Sequence, residues 1–126
     1  MARPQRNRRI CGIPTVHRFN PEPDPGPAGE ASGSAVSPEP VILTIDEYEA
    51  LRLVDHEGLT HSECARQMNI SRTTATEICE SARKKVAGAI VCGRPLVIEG
   101  GNWELCSGNR GDCFLNPCNR ADQCGE

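Results

Sequence analysis

A mainly α protein is predicted: a three-helix helix-turn-helix domain, with a disordered N-terminal arm and linker before it and a cysteine-rich tail behind it. Three observations predict it. Thr44-Ile-Asp-Glu47 and Thr60-His-Ser-Glu63 are capping boxes, in which a Thr hydroxyl and a Glu carboxylate satisfy free N–H groups at a helix start. Ala75, Ile78, Cys79, Ala82, Val86, Ala89 and Ile90 recur at close to 3.6-residue spacing, the stripe of one long helix with an inward face. Pro21, Pro23, Pro25, Pro27, Pro38 and Pro40 remove backbone donors and favour extended, unpacked chain between 21 and 40.

Composition limits the rest. Aromatic residues make up 3% of 126 residues, so much of the chain lacks the apolar surface for a packed core. The division expected is a basic arm at 1–20, a Pro/Gly-rich linker at 21–40, the helical domain at 41–98 and the cysteine-rich tail at 99–126. The formal net charge is -3, but its distribution matters more than its sum. Arg3, Arg6, Arg8, Arg9 and Arg18 stand in the first twenty residues without an acid, and Arg72, Arg83, Lys84, Lys85 and Arg94 form a second basic group. The charged N-terminus lacks the apolar region of a secretory signal, and no apolar run is long enough for a membrane span. A cytoplasmic location is expected. There the 8 cysteines stay reduced, as buried thiols or metal ligands.

Helix one starts at Thr44 and carries Tyr48, Leu51 and Val54 inward, with Gly58 as its left-handed stop. Helix two starts at Thr60, turns Ala65 and Met68 inward and ends near Met68. Asn69 tolerates positive φ, Ile70 plugs the angle between helices, and Ser71 caps helix three. Cys92-Gly93 ends helix three. Arg94 to Ile98 is a short strand or extended segment, and the chain is loop-like after Gly100-Gly101.

The turn between helices two and three carries the functional expectation. A helix-turn-helix sets its second helix in the DNA major groove. Opposite the apolar stripe stand Arg72, Thr73, Thr74, Thr76 and Glu77, short polar or charged groups able to reach base edges. Arg72 has the fork that pairs with guanine, worth about 1–3 kcal/mol of discrimination. Arg83, Lys84 and Lys85 suit phosphates, and Arg3, Arg6, Arg8 and Arg9 suit a minor groove. Glu77 repels phosphate unless it accepts from cytosine or pairs with a cation. The plainer alternative is a three-helix bundle with a solvated polar face.

At these residues the chain resembles the family catalogued as domain-of-unknown-function one-thirty-four, predicted DNA-binding proteins whose helix-turn-helix is similar to that of sigma-factor region four. The matching pieces are Arg3-Pro4, Arg8-Arg9-Ile10-Cys11, LTIDEYEALRLVDHEGL, SRTT, ESARKKVAGAI and LVIEGG. The resemblance implies a cytoplasmic DNA-binding regulator acting on double-stranded DNA. Relatives often have Phe at the position of Ala75 and Gln-Arg at Thr76-Glu77, so the reading surface here is less basic. Cys64, Cys79 and Cys92 fall where Ala, Leu and Asn are expected, and the first two read as small buried apolar residues.

The tail spaces Cys106, Cys113, Cys118 and Cys124 as C-x6-C-x4-C-x5-C. Four thiolates suit tetrahedral zinc, or less readily an iron–sulfur cluster, with Cys11 as an outside ligand. No CxxC knuckle is present, and a flexible tail with free thiols is the plainer reading. His17, His56 and His61 read as surface residues. Two functions compete: a DNA-binding transcriptional regulator, acting with a homodimer mate or another regulatory protein, and a metal-binding redox or adaptor protein whose helices dock a partner. No phosphate loop, carboxylate pair or Cys-His pair argues for an enzyme.

Overall fold

A computed structural model describes residues 7–22 and 39–106. The chain is mostly helical, with two small sheets at one side of the helices. β1 (Arg8–Ile10) and β2 (Arg18–Phe19) precede β3 (Val41–Leu43); then come α1 (Ile45–Leu51), α2 (His61–Met68), α3 (Arg72–Cys92), β4 (Leu96–Ile98) and β5 (Trp103–Leu105). β1 pairs in parallel with β5, Ile10 beside Leu105. In the other sheet β4 is central, parallel to β3 and antiparallel to β2.

Both expected capping boxes form, at Thr44 and at Thr60. Asn69 ends α2 at φ 60, Ser71 caps α3, and Gly93 ends it at φ 63. Helix one departs from a plain α-helix. After Leu51 it widens into a π-helical segment, Arg52–His56, closed by Glu57 N–H to Arg52 O at 2.8 Å. The widening brings Arg52 and Leu53 inward together, both almost without exposure.

Two apolar clusters result. Leu53, Cys64, Met68, Ile78 and Cys79 fill the space between α1, α2 and α3. Ile10, Leu43, Ile45, Ala82 and Ile98 fill the space between α3 and the strands, flanked by Tyr48, Val86 and Trp103. Cys64 and Cys79 are fully buried, as expected, and burial pushes the Cys64 thiol up to about 12.

Three expectations need correction. The arm at 1–20 is not a free tail where it is described: residues 8–19 supply two strands, and Ile10 and Cys11 are core. The chain after Gly101 is not all loop, because Trp103 to Leu105 extend along β1. Both strands are too short to show alternation in sequence, and their pairing spans most of the chain. Gly101, at φ 94, lies so close to helix one that a Cβ would collide with the Asp46 carboxylate and the Thr44 side chain. Ile90 does not face inward; it is 75% exposed. Ala89 is the last buried residue of α3, so the stripe runs past the core. Residues 1–6, 23–38 and 107–126, which hold most of the expected linker and tail, lie outside the described residues.

Buried charge holds the helical layer to the strands. Glu49 is fully buried. Its two oxygens accept from Arg52 Nε and Nη2 at 3.0 and 2.9 Å, and Oε2 also accepts the Cys11 N–H at 2.9 Å. Arg52 Nη1 reaches Glu57 at 3.1 Å. Burial opposes the charge on Arg52, but Glu49 outweighs it and raises the guanidinium pKa. Glu47 closes the Thr44 box and accepts from Ser81 and from Lys85 Nζ, the latter at 2.7 Å. Burial raises its pKa, but the Lys85, Ser81 and Thr44 donors outweigh burial and hold it low.

Two outcomes follow. Arg52→Ala leaves Glu49 buried and uncompensated, so urea unfolding should show a loss of about 3–5 kcal/mol; a loss under about 0.5 kcal/mol would mean that the pair is hydrated. Glu47 has a lower pKa folded than unfolded. Its contribution is therefore complete above the unfolded value of about 4.3 and is lost as pH falls through the folded value. Glu47→Gln should flatten the fall in urea midpoint between pH 5 and pH 3, and a curve as steep as that of the parent chain would assign acid sensitivity to other carboxyls.

Candidate nucleic-acid interface

The α2–turn–α3 unit is built by local chemistry. Ile70 N–H donates to Ala65 O at 2.9 Å, which folds the chain back after Asn69. Ala65 is buried and Ile70 packs against the inner cluster, as a core plug requires. Ser71 Oγ accepts the Thr74 N–H at 3.1 Å and donates to Thr74 Oγ1 at 2.8 Å. The first turn of α3 is thus held rigidly, with Arg72 and Thr73 exposed beside it.

The expected reading residues separate into two groups. Arg72, Thr73, Glu77 and Lys84 are exposed, and Arg72 and Lys84 form no ion pair among the described residues. Thr74 is half-buried in the cap. Thr76 is half-buried with its Oγ1 2.9 Å from His61 Nδ1, so His61 is a clasp between α2 and α3 as well as a surface residue. The sequence held that pairing only as two polar residues 15 apart. Glu77 stands at a shallow hollow beside Arg8, Ser81 and Asn102.

Most of the other cations are engaged within the chain. Arg83 forks onto Asp55 at 2.9 and 2.7 Å, and that bond holds the Asp55 carboxyl below its ordinary range. Lys85 is bound to Glu47. Arg8 reaches Asp46 at 2.9 Å. Arg9 donates to the carbonyls of Gln67 and Arg66 at 2.9 and 3.0 Å. These carbonyls belong to the last turn of α2, where a cation also meets the negative end of the helix dipole. β1 carries Arg8 and Arg9, two of the residues expected in a minor groove, into the fold, where both make structural contacts. Arg3 and Arg6 lie outside the described residues.

Of the expected metal ligands, Cys113, Cys118 and Cys124 also lie outside. Cys11 is buried, its sulfur accepting from Gln67 Nε2 at 3.6 Å, and burial, with Glu49 alongside, pushes its thiol up to about 11. Cys106 is half-exposed, and its N–H donates to Ile10 O at 2.8 Å. The strand register thus carries Cys11 and Cys106 to neighbouring strand ends. Among the described residues no group of three His, Cys, Asp or Glu is arranged to hold a metal ion, and no helix is long and apolar enough to cross a membrane.

Comparison with known proteins agrees with the motif pieces. The chain is 42% identical over 113 residues to a UPF0251 protein of Desulfitobacterium hafniense, covering 90% of this chain and 83% of that one. It is 39% identical over 129 residues to a UPF0251 protein of Desulforudis audaxviator, covering 98% and 78%. A UPF0251 protein of Halothermothrix orenii is 42% identical over 105 residues, covering 83% and 71%. No solved structure matches. The family model described as "Protein of unknown function DUF134" matches residues 1–106, which include every described element, and the chain belongs to that family.

Proposed function

We propose that the protein binds double-stranded DNA as a transcriptional regulator and reads the major groove with the helix that starts at Ser71. The observation that carries this reading is the capped α2–turn–α3 unit, whose second helix presents Arg72 and Thr73 to solvent with Arg72 unpaired among the described residues. It is a helix-turn-helix of the sigma-factor region-four kind. Arg72 is suited to guanine O6 and N7, Thr73 to a neighbouring base or phosphate, and Lys84 to a phosphate further along the groove. Glu77 accepts from cytosine N4 in the same frame. Asp55 and Glu47 already neutralise Arg83 and Lys85, so few phosphates are contacted and affinity depends weakly on salt.

The alternative, a metal-binding redox or adaptor protein, has one observation in its favour, the convergence of Cys11 and Cys106. Elemental analysis separates the two: stoichiometric zinc or iron with no duplex binding favours the alternative.

In selection from random duplex DNA, Arg72→Ala should relax preference at one base pair by about 1–3 kcal/mol, while Lys84→Ala should weaken all sequences alike and lower the salt slope by about 1. Absence of any shift on duplex DNA at micromolar protein and low salt would sink the reading.

A further inference from the structure

Two cysteines from opposite ends of the chain finish the smaller sheet side by side. β1 and β5 run in parallel with Ile10 beside Leu105, and Cys106 N–H then donates to Ile10 O at 2.8 Å. The next pair in that register is Cys11 with Cys106. Neighbouring strands lie roughly 4.8 Å apart, within the separation of about 4.4–6.8 Å that a disulfide needs between Cα atoms.

The two side chains also share a face. Ile10 and Trp103 both pack in the cluster between α3 and the strands. Successive residues of a strand point to opposite faces, so Leu105 falls on the Ile10 side, and Cys11 and Cys106 fall on the other. The Cys11 sulfur is found on that other side, accepting from Gln67 Nε2 of α2 at 3.6 Å. Arg9, two residues earlier on the same face, likewise reaches the end of α2.

Their exposure differs. Cys11 is buried, and Cys106 is half-exposed. Burial, with Glu49 alongside, pushes the Cys11 thiol up to about 11, so it keeps its proton at neutral pH. An oxidant from solvent therefore meets Cys106 first, and Cys11 is the neighbour that can close a bond onto it.

We propose that Cys11 and Cys106 are a redox modification site, which a peroxide oxidises to a reversible disulfide that staples β1 to β5. The Cys106 thiolate attacks one peroxide oxygen. The O–O bond breaks, a sulfenic acid forms on Cys106, and the second oxygen leaves as water. The Cys11 sulfur then displaces the sulfenic oxygen, which departs as a second water with the Cys11 proton. Two thiols have lost two hydrogens and two electrons, and the peroxide has become two waters. A dithiol reductant returns both thiols by exchange.

The bond closes a loop of about 95 residues that takes in all three helices, and so long a loop removes much freedom from the unfolded chain. It also holds β1 where the Cys11 N–H meets Glu49 and Arg9 meets α2. The staple thus acts on the brace of the fold, whether or not the chain binds DNA.

Hydrogen peroxide added to the reduced full chain, followed by digestion with trypsin and a Glu-specific protease, tests the site. Residues 10–18 and 105–110 then carry one cysteine each. The expected product is these two peptides joined, lighter than their sum by the two hydrogens lost, and separated again by dithiothreitol. Cys106→Ser should abolish the product, and a chain with Cys113→Ser, Cys118→Ser and Cys124→Ser together should still form it. Oxidation should raise the thermal midpoint by roughly 10 °C or more, and should not raise it in Cys106→Ser. Cys106 carried on to a sulfinic acid, or joined to Cys113, Cys118 or Cys124 with Cys11 still a free thiol, overturns the proposal. A Cys11–Cys106 product that melts no higher than the reduced chain overturns the staple.

Discussion

Glu49 carries a constraint that reaches every layer of the molecule. A fully buried carboxylate costs several kcal/mol in desolvation, and only donors at each lone pair offset that cost. Here they come from two directions: the Arg52 guanidinium and the backbone N–H of Cys11. The first demands that helix one turn Arg52 inward, which the π-helical widening does. The second demands that the N-terminal segment lie against the helices, which makes β1 part of the fold. From β1, Arg9 then reaches the end of α2 and fixes the carbonyls just before the turn into α3. The position of α3 is thus linked, through two hydrogen-bonded steps, to one buried charge.

The same logic explains the sparse cation supply at the proposed DNA surface. Asp46, Glu47 and Asp55 stand on helix one, and each engages a base: Arg8, Lys85 and Arg83. The Lys85 and Arg83 pairs, with Ser81, orient α3 against helix one. Exposed pairs such as Arg83–Asp55 contribute little to stability, typically about 0–1 kcal/mol, so their effect here is on alignment and charge supply. The charged residues left outward on α3 and outside these pairs are Arg72 and Lys84, with Glu77 and Glu80 between them. Under the proposed function, specific base contacts rather than a strong field carry recognition.

Local chemistry was legible in the sequence, and long-range pairing was not. The two capping boxes, Asn69 at positive φ, Ser71 as a cap and the burial of Cys64 and Cys79 all depend on neighbours within a few residues. The strands have two or three residues each, too few for any period, and β1 meets β5 across nearly the whole chain. Glu49 and Arg52 were visible as an i, i+3 pair, but nothing local marks such a pair as buried rather than solvated. Ile90 matched the apolar stripe by spacing, yet spacing alone does not tell where the opposing layer stops. The basic arm read as a nucleic-acid contact because its arginines have no acid nearby in sequence; in the fold Asp46 stands beside Arg8 and the α2 carbonyls beside Arg9.

That relocation of the arm changes what tight DNA binding requires. One helix-turn-helix reads only a few base pairs, and it needs either an arm in the adjacent groove or a second reading unit. Arg8 and Arg9 cannot leave β1 for a minor groove without uncovering Asp46, freeing the end of α2 and stripping Glu49 of the Cys11 N–H. Under the proposed function, that leaves Arg3 and Arg6, or a second reading unit, to supply the further contacts.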